Sequence, residues 1–329
     1  MNIPDQHVQA LMRFGYTERE SRFLYLVATF SGHFLRSHFE DFLDLTHGRP
    51  ANDFIDKAIA RKHIRAFPYL NLTRTCSRYH LFSRPIYAAI GKENSANRKP
   101  GRDAKANLKL RILSFVLDNL GETYLEEEQD KFNFFTVSKG LGPALLPAKV
   151  YKGARNPAES TTRYFVDKFL VFTSPSEDGP DVVPTFTYFE EDQESLTSFP
   201  THLQWYKPLL KALESRYNFI YVADEPTNFL RAQRQFAAIL ADGNGQPYFP
   251  SMLTYFRLRQ LWEAKKYERL ADKDYVALNR GEKKFSTPAY ETLYRKWLRG
   301  ESIPANEPTV YKETHNEVCP KLQTFRVYL

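Results

Sequence analysis

Up to about residue 62 the apolar side chains recur at the spacing of one buried helical stripe, and from residue 64 the spacing becomes that of a strand. A helix over residues 4–14 is stopped by Gly15. Thr17 then opens a second, with Glu20 three residues on as the other half of a capping box. Phe23, Leu24, Leu26, Val27 and Phe30 form its stripe, and Ser31-Gly32 ends it. A third helix is expected over about 35–45, with Phe39, Phe42 and Leu43 inward. Pro50 suits the first turn of a fourth, which runs to about Lys62. Phe54, Ile55, Ala58 and Ile59 face in; Asn52, Asp56, Lys57 and Arg61 face out. Two strands follow, over 64–70 and 76–82, joined by the polar loop 71–75, and Pro68 marks the first as an edge. Helices with a turn between them, followed by a hairpin, are the order of a winged helix-turn-helix, which places a helix in the DNA major groove.

The chain of 329 residues is long enough for about two domains, and its 26 Phe and 20 Tyr supply a large core, which excludes wholesale disorder. Residues 91–107 are polar, basic and broken by Pro100-Gly101, as a linker or arm is. A helix over about 104–119 buries Leu108, Ile112, Phe115 and Val116. Strong strand patterns at 164–172 and 183–189 follow, then a helix at 200–216, a strand at 218–223 and a helix at 226–241. The expected fold class is α+β: a winged helix-turn-helix over 1–90, a basic arm and linking helix over 91–120, a small α/β domain over 121–245, and a helical C-terminal region and tail over 246–329.

Charge is unevenly placed. Residues 57–111 carry Lys57, Arg61, Lys62, Arg65, Arg74, Arg78, Arg84, Lys92, Arg98, Lys99, Arg102, Lys105, Lys109 and Arg111 against Glu93 and Asp103, a net +12 in a chain whose total is +7. Each phosphate neutralised strengthens binding to nucleic acid, so this concentration points to a polyanion. The expected contacts are Asn52 and Arg61 to base edges, Arg49, Lys57 and Lys62 to phosphates beside them, Arg74 and Arg78 from the wing, and Arg98, Lys99, Arg102, Lys105 and Lys109 along the backbone.

Catalytic motifs are mostly missing. No phosphate-binding glycine loop, nucleophile elbow or His-Glu-x-x-His run is present. The eight histidines form no His-x-His pair and read as structural or surface residues. Cys76 and Cys319 are too far apart in sequence to suggest a disulfide framework or a thiolate zinc site. One carboxylate set is a candidate: Asp167 in the strand at 164–172 and Glu190 after the strand at 183–189 meet if those strands are neighbours, as a divalent metal would need. The second strand carries no lysine to complete a restriction-type Glu-x-Lys, and Lys168 alternates to the opposite face from Asp167. No cofactor is expected, and whether the chain is an enzyme stays open, with a non-enzyme the leading reading.

The stretch from Tyr16 to Val27, the hairpin end from Ser77 to Tyr87 and the run from Tyr164 to Phe169 together resemble the replication-relaxation family of plasmids and integrative mobile elements. That resemblance, over about residues 10–235, implies a winged-helix domain before an α/β domain related to restriction-type nucleases. It also implies DNA binding in replication or transfer of a mobile element. Asp167 matches the family's Asp after the first aromatic strand, with Glu190 as counterpart, and the absent lysine suits an inactive α/β domain. Double-stranded DNA is therefore the expected partner, with replication or transfer proteins and a second copy of the chain as further candidates. The alternatives are a protein-interaction adaptor and a metal-dependent nuclease using Asp167 and Glu190. No apolar run is long enough for a membrane span and the first residues lack a secretory pattern, so a cytoplasmic, nucleoid- or plasmid-associated protein is expected.

Overall fold

A computed structural model of the chain describes residues 3–44, 49–71, 74–151, 160–167, 169–176, 181–190, 198–214, 216–223, 228–240, 252–285, 287–301 and 322–326. The fold is mixed α+β. Helices α1 (Asp5–Met12) and α2 (Glu18–Leu26) open it. The α2 cap is reciprocal: the Glu20 amide donates to Thr17 Oγ1 at 3.3 Å and the Thr17 amide to Glu20 Oε2 at 2.7 Å. The helix widens into a π-helical turn through Ser31 and stops at Gly32, whose φ of +76° is a glycine conformation.

Strand β1 (His33–Leu35), α3 (Arg36–Phe42), α4 (Arg49–Ala60), β2 (Ile64–Asn71) and β3 (Arg74–Leu81) follow. The three strands form an antiparallel sheet in the order β1-β3-β2. The sequence predicts a helix from about residue 35 and no strand before it, because three residues are too few to show alternation. Pairing with β3 defines that strand. Phe23, Phe34, Phe39 and Phe54 pack ring against ring between this sheet and the helices, with centroids 4.3–5.9 Å apart.

After α5 (Arg84–Ala89) comes the long helix α6 (Asp103–Asp118), then β4 (Thr123–Tyr124), α7 (Glu128–Asn133), β5 (Ala148–Tyr151), β6 (Thr161–Tyr164), β7 (Val171–Pro175), β8 (Val182–Phe189), α8 (Ser198–Ala212), β9 (Asn218–Ala223) and α9 (Phe229–Leu240). Helices α10 (Met252–Glu263), α11 (Asp272–Phe285) and α12 (Pro288–Leu298) precede β10 (Leu322–Arg326). The large sheet has the order β10-β9-β8-β7-β4; β8, β9 and β10 run parallel, and β7 and β4 continue antiparallel. The C-terminal tail thus supplies a strand that its composition does not announce.

The run expected as one strand over 164–172 is two elements. Tyr164 ends β6, which pairs with β5 in a separate two-stranded sheet, and β7 starts only at Val171. Between them the Asp167 carboxylate accepts the Phe169 amide at 2.9 Å, a local turn that breaks the extended chain. Asp167 is therefore a loop residue, not a strand residue.

Helix α6 ties the halves together. Phe115 packs on Phe172 and Phe189 of the large sheet, while α8 covers the opposite face, where Phe199 meets Tyr188 and Tyr221 and Tyr206 meets Phe186. The other side of α6 packs on β1, α3 and the π-helical turn. Leu108, Leu110, Ile112, Leu113, Phe115 and Val116 are all buried, so the helix is covered all round. One apolar cluster runs from Ile3 to Ile239; α10–α12 have a small core of their own around Tyr255, Phe256, Phe285 and Tyr294.

Candidate nucleic-acid interface

The cations of α4 turn back onto their own domain. Lys57 Nζ donates to both Glu20 oxygens at 2.7 Å and lies 5.8 Å over the Tyr16 ring. Arg61 donates to the Gly15 carbonyl at 2.8 Å and stacks 5.2 Å over the same ring. Gly15 permits this, having φ of +78° and no Cβ to meet that guanidinium. Arg49 pairs with Asp53 at 3.6 Å. What α4 presents to solvent includes Arg49, Asn52, Asp53, Asp56 and Ile59, followed by Arg61 and Lys62 just past its end. Lys57, expected at a phosphate, has its ammonium paired with the buried Glu20 carboxylate.

The sheet is different. Alternation puts Phe34, Tyr79 and Leu81 toward the helices and His33, His80, Arg65, Arg78 and Phe67 on the other face. His33, His80 and Arg65 are neighbours in one row across the strands, and Leu35, Arg78 and Phe67 in the next. The two imidazoles stack at 4.5 Å. The segment read as a linker lies across this face. His33 Nε2 donates to the Pro100 carbonyl at 2.8 Å and His80 Nε2 to the Asn97 carbonyl at 3.2 Å. Asn97 Nδ2 donates to the Ala28 and Thr29 carbonyls at 3.1 and 2.9 Å.

Arg78, expected at the wing, is buried, donates to Asp103 of the arm at 3.1 Å and sits 5.5 Å over the Phe67 ring. Burial, then the charges of His80, Lys109 and Arg78, push the His33 imidazole down to about 3; burial is also the main cause that takes His80 to about 4. Both rings are neutral at neutral pH, and Arg65 and Lys109 are close enough to act on His80.

Of the arm cations, Lys99, Arg102 and Lys105 are exposed, Lys109 is half-buried, and Arg98 is half-buried and acts on the buried Tyr87 hydroxyl. Exposed Arg65, on the same face, lies 4.4 Å over the Phe82 ring and was absent from the expected contacts, although its alternation with Ile64 marks it as outward. The side chain of Arg74 lies outside the described residues.

The carboxylate pair is held separately. Tyr206 donates to Asp167 Oδ2 at 2.6 Å, while buried Glu190 accepts the Tyr221 hydroxyl at 2.9 Å and Asn228 Nδ2 at 2.7 Å. Lys131, unnoticed in the sequence, is buried nearby; it donates to the Phe169 carbonyl at 3.3 Å, and burial lowers its basicity against the pull of Asp167. Among the described residues no three His, Cys, Asp or Glu side chains are grouped as a metal ion requires. Lys168, Glu191, Asp192 and Glu194 lie outside the described residues.

Set against protein-family models, curated proteins and solved structures, the chain finds no match in any of the three. Among the described residues no helix is long and apolar enough to cross a membrane.

Proposed function

We propose that the chain binds double-stranded DNA through its first 120 residues, with residues 1–90 acting as a winged helix-turn-helix and β2–β3 as its wing. The observation that carries this is the order helix, strand, helix, helix, hairpin with sheet order β1-β3-β2, in the part of the chain that also holds the +12 window. The resemblance to the replication-relaxation family extends the proposal to replication or transfer of a mobile element. A duplex titration of the full chain at about 50 and 200 mM salt tests the binding. The expected result is an affinity that falls steeply with salt, because binding releases counterions from each phosphate met. No binding at either salt, or binding indifferent to salt, overturns the reading.

One observation favours a second reading, an adaptor that docks a protein. Asp53, Asp56 and Ile59 on the open face of α4 suit a basic, partly apolar protein surface better than a row of phosphates. Charge-reversing Asp53→Lys with Asp56→Lys strengthens DNA binding if α4 approaches DNA, and leaves it alone if that face belongs to another partner.

A further inference from the structure

The arm is assembled before any ligand arrives. Five hydrogen bonds tie residues 97–103 to the sheet and to the end of α2: His33 and His80 to backbone carbonyls, Asn97 to two more carbonyls, and Arg78 to Asp103. The approach is so close that a Cβ on Gly32 would fall far inside van der Waals contact with the Asn97 carbonyl oxygen, and the φ of +76° at Gly32 independently disfavours a side chain. A flexible basic tail loses affinity to the entropy of ordering itself; a fastened one does not.

The fastening also sorts the charges. Arg78, the inward cation, pairs with Asp103, whose own side chain is exposed, and Lys99, Arg102 and Lys105 are exposed on either side of it in the chain. Arg65 continues the row on β2, beside His80. Helix α4 mixes its charges. Lys57 and Arg61 are bonded within the domain, Arg61 while still exposed, and the open face carries Asp53 and Asp56 beside Arg49 and Lys62. Phosphates laid along α4 would meet Asp53 and Asp56 between its cations; phosphates laid along the arm and β2 would meet Arg65, Lys99, Arg102 and Lys105, with the one carboxylate among them, Asp103, already paired to Arg78.

We infer that the DNA backbone is held on the arm and hairpin face, by Arg65, Lys99, Arg102 and Lys105 on a surface preassembled by Gly32 and the His33–His80 clasp, and not along α4. This rests on the DNA-binding reading above and names its surface. Contact through this face is backbone contact, so it supplies affinity and register with little sequence discrimination.

The test compares three variants of the full chain with the unchanged protein in duplex titrations across salt. Lys99→Gln, Arg102→Gln and Lys105→Gln together are expected to lower the slope of log affinity against log salt by about 3, at 0.9 per phosphate contact, and to weaken binding on the order of 100-fold at about 0.1 M salt. Arg49→Gln with Asn52→Ala is expected to leave the slope near its starting value. Gly32→Ala keeps every cation but displaces the arm, and is expected to weaken binding while far-ultraviolet circular dichroism stays native. Should it fail to fold, the triple variant decides alone.

An unchanged slope in the triple variant, or a slope lost in the α4 variant, overturns the inference and leaves the DNA-binding reading standing. A folded Gly32→Ala that binds as the unchanged protein does overturns the preassembly. An unchanged protein that binds no duplex overturns the DNA-binding reading and the inference with it.

Discussion

His33, His38 and His80 are held neutral by removal from water; His33 and His80 each bond through Nε2, and His38 uses both nitrogens. His38 Nδ1 accepts the Leu35 amide at 3.2 Å, and its Nε2 donates at 2.9 Å to Ser114 Oγ, whose own proton goes to the Leu110 carbonyl. The ring links α3 to α6 only while uncharged, and burial pushes it down to about 4. These folded values lie below the ordinary one of about 6.5, so the unfolded chain takes up protons first as the pH falls. Stability is therefore complete above about pH 6.5 and is lost toward pH 4, at up to about 1.4 kcal/mol per pH unit for each ring. Urea midpoints at pH 7 and pH 5 measure this, and His38→Gln is expected to flatten the dependence by about one ring's share. Equal midpoints at the two pH values would mean that these imidazoles are not buried neutral. Their spacing in the sequence carries no sign of the clasp, because His33 and His80 meet only across paired strands.

At the level of elements, the sequence was most legible where local rules decide. The box at Thr17 and Glu20, the stop at Gly32 and the inward stripe of α2 follow from neighbours three or four residues apart. The second use of Glu20 was not legible. Its carboxylate caps α2 and also receives Lys57 from α4, 37 residues away, while only 8% exposed. Lys57→Met leaves a buried carboxylate without its cation, and chemical denaturation is expected to show a loss of about 1–3 kcal/mol. Pairing it with Glu20→Gln should recover part of that loss. A loss as large in the double variant as in the single would show that the two groups are not coupled. The strand expected around Asp167 failed for the converse reason: an aromatic run was extended enough to read as one strand, but a carboxylate with a backbone amide within reach turned it into a loop.

The whole molecule depends on α6. Its sequence shows one apolar side with lysines near the other, which reads as a linker helix, yet Leu110, Leu113 and Arg111 are buried as well. A helix read as half-exposed is covered because a five-stranded sheet lies on one side and the N-terminal unit on the other. Phe115→Ala removes the ring that sits on Phe172 and Phe189 and is expected to cost about 3–5 kcal/mol. Because one apolar cluster spans both halves, hydrogen exchange should show α2 and α8 losing protection together. Loss confined to α8 would show two independent units.

What the sequence determined by itself is what short-range chemistry can carry: helix ends, the hairpin, the apolar stripes, the α+β class and the concentration of positive charge between residues 57 and 111. The tertiary structure alone decided which of those charges reach solvent. Arg78 and Lys57 are indistinguishable from Lys99 and Arg102 in composition, but the first two meet Asp103 and Glu20 through contacts 25 and 37 residues long, and the second two meet no carboxylate among the described residues. A cation's availability depends on the carboxylates within a few ångströms of it, and that neighbourhood comes into being only when strands pair and helices pack.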